Sequence, residues 1–217
     1  MTLAPKRSLA GADAAATEGE ALIVEDGFTL IELMVVLLII AILLAIAIPT
    51  FLGVTNTAGD RAAQSNLTNA LTEAKALYEV SQSYSTSGAA YTTTQFTSQA
   101  PEFSWTTGTC TSSPGNCIGY KVFDTTETGD GQGIELYALS SKTSTCWYAF
   151  DLESTPSSSV LTGMATAFPT AGVWYAKKTT SSSCSSINPN NGMADAGFKG
   201  FVSGGAGTTF ANAPSIT

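Results

Sequence analysis

Residues 28–48 read FTLIELMVVLLIIAILLAIAI, 21 residues with a single charge, Glu32. At 1.5 Å per residue a helix of that length reaches roughly 31 Å, the thickness of a bilayer's hydrocarbon core. A secretory signal has a shorter apolar run, a basic flank before it and a small-residue cleavage site after it. Here the near flank is acidic (Glu25-Asp26) and Pro49-Thr50-Phe51-Leu52-Gly53 follows. The run therefore reads as a retained anchor. The positive-inside rule gives little orientation, because Lys6 and Arg7 lie far upstream and Asp60 offsets Arg61.

Helical patterning resumes beyond the run. Ala63, Leu67, Leu71, Ala74 and Tyr78 recur at steps of four and three, with Ala70 and Leu77 beside them. Arg61, Gln64, Asn69, Glu73, Lys75 and Glu79 are available for the wetter faces, and the pattern gives out near Ser85–Gly88. Between the two halves lie Pro49, Gly53 and Gly59. A helix-interior proline loses one backbone bond and clashes with the preceding turn, and glycine weakens the turns after it. One long helix, bent or softened near Pro49, is the expectation; the alternative is that Pro49 simply ends the membrane helix.

The remainder is β-rich. Segments 118–123, 134–140, 146–150 and 173–177 are short runs of β-branched and aromatic residues, and Thr128-Gly129-Asp130-Gly131-Gln132-Gly133 between the first two signals a hairpin. Trp147-Tyr148 and Trp174-Tyr175 read as core and face residues of adjacent strands. The carboxylates of 124–133 lack the alternating ladder of a calcium loop, so a plain turn is favoured over a cation site. Segment 86–117 reads as a Thr/Ser-rich connection and 179–217 as a Ser/Gly/Asn-rich tail. The expected fold class is α+β, with the amphipathic half of the helix packed on an antiparallel sheet of about four strands. The expected divisions are a leader 1–27, a membrane or filament-core half-helix 28–57, an amphipathic half 58–85 and a head 86–217.

Four cysteines, Cys110, Cys117, Cys146 and Cys184, follow the anchor at spacings that match no zinc ribbon. An even number in a polar domain outside a membrane reads as disulfides in an oxidising compartment. The favoured pairing is Cys110–Cys117, closing over a turn-prone Thr-Ser-Ser-Pro-Gly-Asn, with Cys146–Cys184 tying the start of one strand to the segment after another. Loop closure in the unfolded chain is worth about 2.5 kcal/mol for the short loop and about 4 kcal/mol for the long one. The other connectivities stay open at this point.

Composition narrows the function classes. The net charge is −8 and the pI about 4.4, which disfavours a nucleic-acid partner. With no histidine and no Ser, Cys or carboxylate constellation, neither an enzyme nor a metal or cofactor site is expected.

The residues Gly27-Phe28-Thr29-Leu30-Ile31-Glu32, followed by the apolar run, resemble the processing motif of type IV pilins and their pseudopilin relatives. The resemblance covers about residues 27–54. It implies cleavage after Gly27 by a membrane prepilin peptidase, N-methylation of Phe28, a role for Glu32 in assembly, and loosening of the helix at Pro49 in filaments. The leader of 27 residues departs from the family in being long and acidic. The implied partners are identical or related pilin subunits, the peptidase/N-methyltransferase, an assembly platform, and membrane lipid before assembly. The implied location is the cytoplasmic membrane for the precursor and the cell surface for the filament. Two other uses fit the same sequence: a pseudopilin of a type II secretion or DNA-uptake apparatus, and an anchored binding domain that never polymerises.

Overall fold

The computed structural model describes residues 27–86, 89–112, 114–127, 130–157, 159–160, 170–179 and 182–187. The expected leader up to Asp26 and the tail beyond Ile187 lie outside the described residues. The chain divides into two compact units between Ile46 and Ala47.

Helix α1 spans Leu30–Ser81, and its assignment passes through Pro49. In the first unit nothing covers it among the described residues. Every large apolar side chain from Phe28 to Ile46 is at least 45% exposed, as suits a surface made for lipid or protein rather than water. Among the described residues α1 is the helix long and apolar enough to cross a membrane.

In the second unit the helix turns one face inward. Ala63, Leu67, Ala70, Leu71, Ala74 and Tyr78 are buried, the face set by the steps of three and four. Gln64 is buried with them, contrary to the expectation of a wet position. Its flank is shared with Leu67 and Leu71, one turn and two turns on, so the same contact covers it. The helix stops at Ser81, a few residues before the expected end, where Gln82 takes φ 55° and ends the helical run.

The sheet has the order β3-β5-β6-β7-β8, where β3 is Ser104–Thr106, β5 Cys117–Phe123, β6 Gly133–Ser140, β7 Thr145–Leu152 and β8 Gly172–Thr179. The last four strands are antiparallel neighbours. Strand β3 runs parallel to β5, with Trp105 opposite Ile118, so the sheet is mixed rather than wholly antiparallel. The segment read as a connection holds more structure than its composition suggested. A hairpin of β1 (Ser85–Thr86) and β2 (Ala89–Ala90) leads to α2, Thr93–Gln99, which starts with a capping box of Thr92 and Gln95. Phe96 of α2 stacks on Trp105, ring centroids 4.6 Å apart, and that contact holds β3 to the sheet edge. Short strands β4 (Cys110–Thr111) and β9 (Ser183–Cys184) pair with Cys110 opposite Cys184.

Strand alternation divides the core in two. Ile118, Tyr120, Ile134, Leu136 and Ala149 pack with the buried face of α1. Phe123, Tyr137, Tyr148, Phe150 and Trp174 form a second apolar layer with Cys110, Cys146 and Cys184. Cys110 is bonded to Cys117 and Cys146 to Cys184, with Cα atoms 5.6 and 5.5 Å apart. Two glycines allow aromatic rings to lie flat on the neighbouring strand. A Cβ on Gly119 would come within 1.9 Å of the Tyr137 ring, its register partner, and one on Gly133 within 2.2 Å of Phe123.

Candidate functional site: the amino-terminal helix and its ties to the head

The start of α1 is organised by Thr29 and Glu32. The Thr29 backbone N–H donates to Glu32 Oε2 at 2.9 Å, and the Thr29 hydroxyl donates to the same oxygen at 2.8 Å. The Glu32 N–H in turn donates to Thr29 Oγ1 at 3.3 Å. This is a reciprocal capping box, which satisfies backbone donors that a helix start leaves orphaned. The carboxylate is also favoured by the positive end of the helix dipole. Thr29 was missed as a site residue by sequence reasoning, although Thr29-Leu30-Ile31-Glu32 has the S/T-x-x-E spacing that signals such a box. Gly27 and Phe28 directly precede the box, and Phe28 is 88% exposed.

The stretch around Pro49 has its own chemistry. The Thr50 hydroxyl donates to Ala47 O at 2.9 Å, Thr55 to Leu52 O at 3.0 Å, and Thr57 to Gly53 O at 3.1 Å. Such back-bonds compete with the helical ladder and slightly destabilise it. Gly53 and Gly59 differ in setting. A Cβ on Gly53 would meet nothing within 4 Å, whereas one on Gly59 would lie 2.7 Å from Lys142 Cγ. Gly59 is therefore a close-approach residue, letting the helix touch the turn between β6 and β7.

Two polar ties join the second half of α1 to β7. At Asp60, Oδ1 accepts from the Thr143 hydroxyl and from Trp147 Nε1, the latter at 3.4 Å. Further along, Lys75 Nζ lies 2.9 Å from Asp151 Oδ1 and 3.1 Å from Glu153 Oε1. Lys75 was expected on a wet face, and the partner that draws it inward is remote in sequence. Asp151 is fully buried, and its other oxygen accepts from the Tyr84 hydroxyl. Burial pushes the Asp151 carboxyl up to about 6 against the opposing pull of Tyr84 and Lys75.

The acidic turn between β5 and β6 is held together from within. The Asp130 carboxylate accepts backbone N–H groups of Thr125, Thr126, Glu127 and Gln132, with the Thr126 hydroxyl at 2.7 Å. Burial would raise this carboxyl, but the bonds from Thr126, Glu127 and Thr125 bring it down to about 2. Its oxygens are spent on shaping the turn. Glu135, buried on β6, accepts from the Ser186 hydroxyl at 2.6 Å and from Ile187 N–H at 2.8 Å, fastening the segment after β9.

Residues 25–48 match the family model described as the prokaryotic N-terminal methylation motif. This is the type IV prepilin signature, and it falls on the capping box and the exposed half of α1. The motif supports a type IV pilin-like or pseudopilin protein. No curated protein and no solved structure matches the chain.

Proposed function

We propose that this chain is a pilin, the structural subunit of a type IV pilus-like surface filament. The observation that carries the reading is the long, exposed apolar surface of α1, with Glu32 as its one charge. Every large apolar residue from Phe28 to Val54 stands at least 45% exposed, and the methylation motif lies on the same stretch. Such a surface is stable in a membrane and, after extraction, in a bundle of like helices. Cleavage after Gly27 frees the amine of Phe28, which is then methylated, and Glu32 sets the register against neighbouring subunits. The Pro49–Gly59 stretch loosens on assembly, where a proline, two glycines and three threonine back-bonds already weaken the ladder. The two disulfides suit a head exposed outside the cytoplasm.

The test combines mass spectrometry of the mature amino terminus with imaging of sheared surface filaments. A chain beginning at methylated Phe28, found throughout the filaments, is the expected result. In their reconstruction, helical bonding is expected to be lost within Pro49–Gly59. Replacing Gly27 with leucine is expected to leave the precursor uncut. Loss of protein export or DNA uptake without any surface filament would instead assign the chain to a pseudopilus. A wild-type chain that keeps its leader in the membrane would make it a non-assembling anchored domain.

A further inference from the structure

The cationic side chains of the second unit are unevenly placed. The described residues contain six, Arg61, Lys75, Lys121, Lys142, Lys177 and Lys178. Lys142 lies over Gly59. Lys177 Nζ sits 5.7 Å from the centre of the Trp147 ring, whose Nε1 reaches Asp60. Lys178 is the next residue of β8, opposite Cys146 at the same end of the sheet. Arg61 follows Asp60 on α1 and reaches Gln64. Three of the six, Lys142, Lys177 and Lys178, thus gather where α1 first meets the sheet, and Arg61 stands at the same level of α1 on another face, beside Val54, Thr57 and Ala58. The acids Asp124, Glu127 and Asp130 lie in the turn at the opposite end of β5, and Glu153 just after the far end of β7. Asp60, the acid within the basic group, is engaged by Thr143 and Trp147.

The place of this group along α1 identifies its partner. The last exposed large apolar side chains before it are Phe51, Leu52 and Val54. With the charged Glu32 at the opposite edge, Leu33 to Val54 is roughly 32 Å of helix, one bilayer core, and Gly59 is about 7.5 Å further on, about the depth of one headgroup layer. Lysine and arginine can send their charged ends toward that layer along apolar stems. We propose that Arg61, Lys142, Lys177 and Lys178 form a basic rim that docks the head on anionic lipid headgroups while the chain is held in the membrane. The inference rests on the anchoring part of the functional reading. It adds a specific lipid preference and a means of holding the head against the membrane before assembly.

The test uses the full chain in nanodiscs of phosphatidylcholine or of phosphatidylglycerol, with amine acetylation followed lysine by lysine by mass spectrometry. Lys142, Lys177 and Lys178 are expected to react about fivefold more slowly on phosphatidylglycerol, the factor for one cation at an anionic surface. Lys121 should react equally on both, and high salt should erase the difference. Lys142→Glu should return Lys177 and Lys178 toward their phosphatidylcholine rates. Equal rates on the two lipids would overturn the proposal, as would a Lys142→Glu chain that keeps full protection. Protection that is indifferent to lipid but grows with the number of chains per disc would overturn it in favour of a second copy as partner. A chain that enters neither nanodisc would overturn the anchoring reading itself, a result distinct from insertion with equal labelling.

Discussion

Thr29 and Glu32 present two roles in one carboxylate, a helix cap and a charge inside an apolar segment. The cap needs only an acceptor, and glutamine serves at that position. On the proposed reading, assembly through the Phe28 amine needs the negative charge. Glu32→Gln is therefore expected to be cleaved and inserted like the wild type yet to be absent from filaments, with Glu32→Leu behaving alike. Glu32→Asp should assemble in part, because the shorter side chain loses reach. Thr29→Ala, which removes a cap worth about 1 kcal/mol, should assemble with reduced yield. Quantifying the subunit in sheared filaments against the membrane pool checks all four. Wild-type incorporation of Glu32→Gln would mean that the cap, not the charge, is what assembly uses. The sequence displayed the charge plainly because it interrupts an apolar run. It displayed Thr29 equally, but a threonine beside an anchor attracts notice only once the cap is seen.

At the level of elements, long periodic segments were legible and short ones were not. The buried face of α1 and the four main strands follow from repeats of three and four or of two. By contrast, α2 has seven residues and a single buried side chain, Phe96, and β3 has three residues around Trp105. Neither is long enough to express a period; α2 has a local signal in its Thr92–Gln95 capping box, but both elements pack through aromatic contacts. Parallel pairing of β3 depends on those same contacts. The strand glycines show a similar dependence on partners. Gly119→Ala would drive a methyl group into the Tyr137 ring, an overpacking that costs about 1–3 kcal/mol. Denaturant unfolding of the detergent-solubilised chain should show that loss. Gly53→Ala, where the added carbon meets nothing, should be neutral or stabilise α1 by up to about 1 kcal/mol.

For the molecule as a whole, the Lys75–Asp151–Tyr84 cluster links helix and sheet through a buried acid. A carboxyl whose folded value is raised to about 6 from the ordinary 3.8 holds its proton longer in the folded chain than in the unfolded one. Its contribution is fully present below pH ~3.8, and is lost as the pH rises through about 6. The stability of the wild type relative to Asp151→Asn should accordingly be greatest near pH 4 and should shrink by pH 7. Thermal unfolding of both chains across that range checks the sign, and a gap that widens with pH would contradict it. This link was hidden in the sequence, where Lys75 has the spacing of a solvated helix residue and Asp151 lies in an aromatic strand.

The two ties between α1 and β7 also make the head a mechanical joint. Asp60 grips β7 near its start, and Lys75 grips it near its end. The two helix positions are about 22 Å apart along the axis. A pull along α1 is thus spread over the length of one strand that is flanked on both sides by neighbours. Tension enters the sheet at a strand paired on both sides rather than at one free to peel from an edge. The head can then bear a pull on its own helix without first surrendering a strand.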